Sequence, residues 1–346
     1  MIGHFSGPSE NNPYAWDDDF SYVQYSVTAA TYQDILFYSK IFHNVCFAIG
    51  TFLSLLLLYL IFKKNGKMLQ NYRTMLIFNC FVDMQICLAV YLGQYSTKAI
   101  DNLFMSSFDG IGQHLGFTGQ CALMSFFTLS INVVITSLPA NYYYRYICIK
   151  RGRPLSFCGV LLLYSIVYAV TLPTMIWTLF SFHYDGLSRP GFNYGSLWFN
   201  VKPLPTILIL NFHLPHTKFF MIYVFICYGI AYSLSISFAV KTWRILGTDK
   251  AKYSQRTLQM QTQLSVAMLV QAILPVFISL GPSVLMIIEI AFGFNWDIVT
   301  TIAFNAFALI PVLNSLCTIL VIRPFREAVM RPFLKTKPAV SRSSVT

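Results

Sequence analysis

Apolar residues in this chain come in runs long enough to cross a bilayer, and the runs recur seven times, which leaves few folds open. A helix needs about 20 residues to span the hydrocarbon layer. The runs lie at Tyr38 to Phe62, Met75 to Tyr95, Gly119 to Tyr144, Leu155 to Phe182, Lys218 to Trp243, Gln263 to Ile290 and Ile298 to Ile322. Backbone groups facing lipid must be bonded within their own segment, so each run is expected to be a helix. The fold class that follows is an all-α membrane protein, a seven-transmembrane helix bundle. Composition agrees: 11% of the residues are charged, against about 25% in a soluble domain.

Positive charge orients the bundle. Lys63, Lys64, Lys67 and Arg73 follow the first run, and Arg145, Lys150, Arg151 and Arg153 the third. Lys241, Arg244, Lys250, Lys252 and Arg256 follow the fifth, and Arg323, Arg326, Arg331, Lys335, Lys337 and Arg342 the seventh. These are 19 of the 24 basic residues, and the positive-inside rule makes their side cytoplasmic. The N-terminus is then outside and the C-terminus inside. The expected organisation is an extracellular segment at 1–37, a membrane domain at 38–335 that closes with a short amphipathic helix at 323–335, and a cytoplasmic tail at 336–346. The first 37 residues are acidic and lack a basic n-region, so no cleavable signal is expected. The net charge of +11 sits in short loops beside the spans, where anionic lipid heads attract it. It points to the lipid bilayer as partner and to no nucleic acid.

The eight cysteines fall within spans or, for Cys148, on the cytoplasmic side, and read as small buried hydrophobes. The outer loop from His183 to His216 contains no cysteine but has an apolar run at Ile207 to Leu210. That run is expected to fold into a small hairpin lid over the mouth of the bundle.

The stretch "SLPANYYYRYICIKRGRP" (137–154) has two readings. Tyrosines at a membrane interface form an aromatic belt, with Arg145 as a snorkelling anchor. Alternatively, Arg145 meets a partner.

Tyr144-Arg145-Tyr146, "LQMQTQLSVAMLVQAILP" (258–275) and "PVLNSLCTILVIRPFR" (311–326) together resemble the nematode serpentine chemoreceptors of the Str superfamily, most nearly class d, which are G-protein-coupled receptors. The resemblance implies a chemosensory receptor, multi-pass in the plasma membrane and, in a nematode, of sensory cilia. It implies an odorant-like small-molecule ligand in the outer cavity, with Phe127, Thr128, Asn132, Tyr223, Ser279 and Phe304 as candidate ligand-binding residues. It also implies a heterotrimeric G protein at Arg145, Tyr146, Lys252, Arg256, Arg323 and Arg326. Many seven-helix receptors tether the second outer loop to a cysteine where Cys121 stands, and the cysteine-free loop implies that this tether is missing. Tyr144 replaces the acid that rhodopsin-type receptors place before the arginine, so their local salt lock cannot form here. Asn314-Ser315 replaces Asn-Pro or Asp-Pro, which leaves the kink in the seventh helix to Pro311.

Several residues read as parts of a switch. Proline cannot bond to the carbonyl four residues earlier, so Pro275 frees the carbonyl of Gln271, Pro282 that of Ile278 and Pro311 that of Phe307. Asp83, the one acid deep in a span, is costly there and marks a functional interior. With Asn79, Asn305 and Asn314 as candidate partners, it is expected to anchor a polar cluster able to hold a sodium ion; no other metal and no cofactor are expected. Ser125, Thr128, Asn132 and Thr136 share one helical face, which reads equally as a pocket wall or as a seam between helices. Alternatives to a receptor are a ligand-gated channel or a transporter of small molecules. No nucleophile or metal-spacing motif points to an enzyme.

Overall fold

The computed structural model describes residues 29–63, 67–100, 103–188, 206–212, 214–248, 255–281, 284–285, 288 and 297–334. What the sequence leads one to expect of residues 1–28, Lys252, Pro282 and the tail at 336–346 concerns positions outside these residues. Among the described residues, seven helices are long and apolar enough to cross a membrane: Gln33–Lys63, Gln70–Gly93, Phe117–Arg151, Phe157–Tyr184, Pro215–Thr248, Gln261–Ile278 and Thr301–Val321. They are called the first to seventh spans below. A terminal helix, Arg323–Leu334, follows them, with Phe325 buried and Arg323 paired to Glu327.

Three boundaries differ from expectation, each for a local reason. The third span runs past Tyr144 to Arg151 and stops where Gly152 takes φ 66°, a left-handed cap that glycine adopts without Cβ strain. The Tyr-Arg-Tyr stretch is therefore inside a helix, with a further turn beyond it. In the sixth span the α-helix ends at Pro275 and continues as a π-helical turn, Val276–Leu280, a wide turn of the kind that marks kinks. The seventh narrows to a 3-10 turn at Ala306–Ala308 before Pro311, which sits in the first turn of the resumed helix.

The second span stops at Gly93, because the next two residues reverse the chain. Gln94 has φ 46°, unusual for a residue with a side chain, and is held by its N–H to Val90 O and by its side-chain amide to Asn44. A Cβ on Gly93 would lie 2.2 Å from the Tyr95 ring, so only glycine admits the tyrosine. The chain then forms two strands, β1 (Tyr95–Ile100) and β2 (Leu103–Phe108). The apolar run of the second outer loop becomes β3 (Leu208–Asn211) and pairs antiparallel with β2, giving the order β1-β2-β3. Among the described residues this run does not make a hairpin of its own; it extends a hairpin contributed by the preceding loop. Both faces of the sheet are buried, and its strands are correspondingly apolar with small hydroxyl residues.

Two polar triads bind the second, third and fourth spans together. Tyr164 donates to Asn79 and Asn141, and Asn141 donates to Asn79; Gln85 bridges Ser130 and Tyr168. Such inter-helix bonds contribute about 0.6 kcal/mol each on average. They fix rotation more than they add stability.

Candidate functional site

Beneath the sheet lies a cavity of about 120 Å³. Its ceiling is formed by Tyr95 and Thr97 of β1, Phe104 of β2 and Leu210 of β3, and its walls come mainly from the third, fifth and seventh spans. Tyr95 packs on Phe127, Phe104 on Phe304, and Phe127 edge-on to Phe307, so aromatic rings tie the ceiling to the walls. No lining residue is charged. Phe127, Thr128, Asn132 and Phe304 all line this cavity. Tyr223 does not; its hydroxyl donates to Val170 O of the fourth span at 2.9 Å. Ser279 falls in the π-turn, and its side chain lies outside the described residues.

The polar face of the third span serves as both wall and seam. Asn132 donates to Thr174 of the fourth span at 2.9 Å and accepts from Tyr228 of the fifth at 2.6 Å, while also lining the cavity. Ser125 and Thr136 turn their hydroxyls back to their own helix at Cys121 O and Asn132 O. Cys121 is buried and free. The β2–β3 ladder does the work of a tether, holding the second outer loop by backbone hydrogen bonds.

Deeper in the bundle, a second cavity of about 20 Å³ is bordered by Asn79, Asp83, Ser137, Asn141, Gln271 and Asn314. Asn314 donates to Asp83 at 2.9 Å, while its own side-chain oxygen has no partner among the described residues. Asn79 is taken up by Asn141 and Tyr164; no bond joins Asn305 to Asp83 among the described residues, and Asn305's side-chain oxygen is likewise without a partner. Gln271 does not turn to its own backbone. It donates to Thr318 of the seventh span at 2.9 Å, and Thr318 donates to Asn314 O. Tyr232 of the fifth span donates to Ala272 O beside it.

At the end opposite the sheet, Arg145 is 3% exposed, so it is no snorkelling anchor. Its Nη2 donates to Gln261 O at 2.7 Å and Ser265 Oγ at 2.5 Å, both in the sixth span. Tyr72 of the second span shares a hydrogen bond with the Gln261 side chain and packs edge-on to Tyr144, whose hydroxyl is bonded to Asn71 O. The tyrosines wall in the guanidinium instead of lying at an interface. Sequence reasoning missed Ser265, Gln261 and Tyr72; the only signal was the Gln-rich lead-in to the sixth span, which does not say what the glutamines face. Tyr146 meets Phe238 of the fifth span and carries Lys150 over its ring. Arg323's backbone N–H donates to Gln263, and Arg326 reaches Leu320 O. Arg256 lies in the helix leading into the sixth span, with its side chain outside the described residues.

A crystal structure of squid rhodopsin superposes with a TM-score of 0.54, covering 90% of this chain and 87% of that one at 14% identity; at that identity the likeness shows the fold. Serpentine receptor class delta-1 of Caenorhabditis elegans is 23% identical over 303 residues, 83% of this chain and 78% of that protein. The family model for the serpentine-type seven-transmembrane GPCR chemoreceptors Srd matches residues 39–331, which narrows the broader superfamily resemblance to class d itself. This multi-pass membrane chain belongs to the Srd family of serpentine chemoreceptors.

Proposed function

We propose that the protein is a chemosensory receptor of the plasma membrane, with the sheet outside and the basic end inside. It binds a small odorant-like ligand in the cavity under the sheet and activates a heterotrimeric G protein at the opposite end. The observation that carries this reading is the coexistence of an uncharged, largely apolar cavity at one end with a buried arginine bonded to the sixth span at the other. Three hydrogen bonds of the seventh span lie between them. The Thr301 hydroxyl of the seventh span donates to Thr97 O in the ceiling, Asn314 bonds Asp83, and Thr318 bonds Gln271 in the sixth span. The π-turn after Pro275 gives that span a hinge, about which its inner end swings once Arg145 lets go. Arg145, Tyr146, Lys252, Arg256, Arg323 and Arg326 then face the G protein. The latch has no carboxylate, so the missing acid at Tyr144 is replaced by a carbonyl and a hydroxyl from another span.

Asp83 and the free oxygen of Asn314 offer hard oxygen donors beside a space large enough for one water-sized guest. A sodium ion held there would lock the second span to the seventh and favour the resting state. Purified full-length chain reconstituted with a G protein heterotrimer tests the reading: a small uncharged organic ligand is expected to raise nucleotide exchange, and Asp83→Asn to abolish the effect of sodium on that response. Ligand-gated current in the absence of any G protein would show a channel instead.

A further inference from the structure

Thr97 lines the ceiling of the outer cavity, is 1% exposed, and its hydroxyl has no hydrogen-bond partner among the described residues. Leaving a buried hydroxyl unbonded is costly, so an orphan of this kind calls for a partner that the protein itself does not supply. Every other hydroxyl or amide that lines the cavity is already engaged. Thr128 donates to Met124 O, Thr178 to Thr174 O, Tyr228 to Asn132, Asn132 to Thr174, and the Tyr95 hydroxyl lies against Ala89 O and Leu123 O. Strand alternation turns Thr97 to the bundle along with Tyr95 and its cross-strand partner Ser106, whose hydroxyl is also unpartnered. The same alternation turns Lys98 to the other face, so no charge reaches the cavity from β1.

Resting on the cavity reading above, we infer that the ligand is an uncharged molecule of about benzene size with a single hydrogen-bonding group, and that Thr97, on the lid strand, recognises that group. Size follows from volume. An apolar cavity of roughly 150 Å³ holds benzene, and this one is slightly smaller at about 120 Å³. Charge is excluded because no lining residue could neutralise it. A carbonyl or ether oxygen would accept from Thr97, and an alcohol could donate as well. The remaining wall is aromatic or aliphatic and rewards an apolar body. Thr97 also places recognition where it is felt by the seventh span, since its backbone oxygen accepts the Thr301 hydroxyl at 3.0 Å. A ligand that pulls on one side of this residue loads the bond on the other.

The test uses cyclohexanone and methylenecyclohexane, two rings of the same heavy-atom count that differ in having C=O or C=CH₂. Their affinities for the full-length protein in lipid nanodiscs are read from thermal-shift titrations, for wild type and for Thr97→Val, which keeps the shape and removes the hydroxyl. Wild type is expected to prefer the ketone by about tenfold, the worth of one hydrogen bond in a dry site. Thr97→Val should lose the preference for the ketone and bind the hydrocarbon at least as well, because the carbonyl then enters the cavity without a partner; hydrocarbon affinity should be unchanged, and the variant should melt no lower than wild type without ligand because an unbonded hydroxyl has gone. If both probes bind but the preference for ketone survives in Thr97→Val, or wild type shows no preference, the role given to Thr97 is wrong. If neither probe shifts wild type, the cavity is not the binding site and the reading beneath this inference falls with it.

Discussion

The two ends of the bundle are closed by different kinds of bond. At one end a three-stranded sheet closes it, through ladder hydrogen bonds between β1, β2 and β3 and a set of aromatic contacts to the walls. At the other, the third span is joined to the sixth by one nitrogen of Arg145 and two acceptors, with Tyr72 on the Gln261 side chain and the Arg323 N–H on Gln263 beside them. A ladder shares its load over many groups and opens only when several break. A latch on a single side chain opens when one residue finds better partners, which suits the end that must change shape. The contrast assigns rigidity and recognition to the sheet end and switching to the arginine end.

The largest expected effect is at the latch. Arg145→Lys keeps the charge but loses the fixed guanidinium plane that is proposed to meet the G protein once the latch opens, and one charge-assisted bond lost from that contact is worth about 1.5–3 kcal/mol. Ligand-driven nucleotide exchange should fall by tenfold or more with surface expression near wild type, whereas Lys150→Arg should be nearly silent. Equal, mild effects of the two would return Arg145 to a structural role. Next is the lid: Gly93→Val drives a side chain into the Tyr95 ring, and overpacking of this kind costs about 1–3 kcal/mol. Its melting temperature and ligand response should both drop, and an unaltered ligand response would show that the lid does not shape the cavity. Ser265→Ala removes one of the two acceptors, so basal exchange without ligand should rise several-fold as the guanidinium loses one charge-assisted bond and keeps the other. An unchanged basal rate would mean that the sixth span is held elsewhere.

The smallest effect concerns pH. Asp109, at the turn after β2, accepts from Ser96 at 2.8 Å; burial raises its carboxyl above the usual range, while Ser96 and Lys40 oppose the rise. A raised folded value means that the group favours the folded state most fully below the ordinary carboxylate pKa, and that this contribution is lost as pH rises through the shifted value. The melting temperature should therefore decline slightly across that interval in wild type and stay flat in Asp109→Asn. Parallel profiles would remove Asp109 from the lid's pH response.

Length and apolarity made the seven spans legible, because the bilayer imposes both on any helix that crosses it. The sheet was not legible, since "YSTKAI" and "LFMSSF" carry no strong alternation when both faces are buried, and β3 finds its partner about 100 residues away. Asn314 could be named from the sequence as one of three candidate partners of Asp83, with Asn79 and Asn305, because an acid in a span needs a neighbour and few polar groups were on offer; only Asn314 makes the bond among the described residues. Arg145 was visible as a residue but not in its bonding. One acceptor is a backbone carbonyl, which every residue has, and the other is Ser265, which looks like any serine in a helix. The lengthened third span explains the rest: Gly152 ends the helix about two turns later than the apolar run implied, and that buries Tyr142 and Tyr144 and half-buries Tyr143 and Tyr146.

Arg145 is the contact between the third span and the inner end of the sixth whose release is proposed to open the bundle. Spin labels at the exposed positions Lys150 and Gln259, introduced as cysteines with the exposed Cys158 replaced, report the distance between the two spans in the full-length protein. The account predicts one short distance with Arg145 present and a second, longer population with Arg145→Met. The same distribution in both proteins would contradict it.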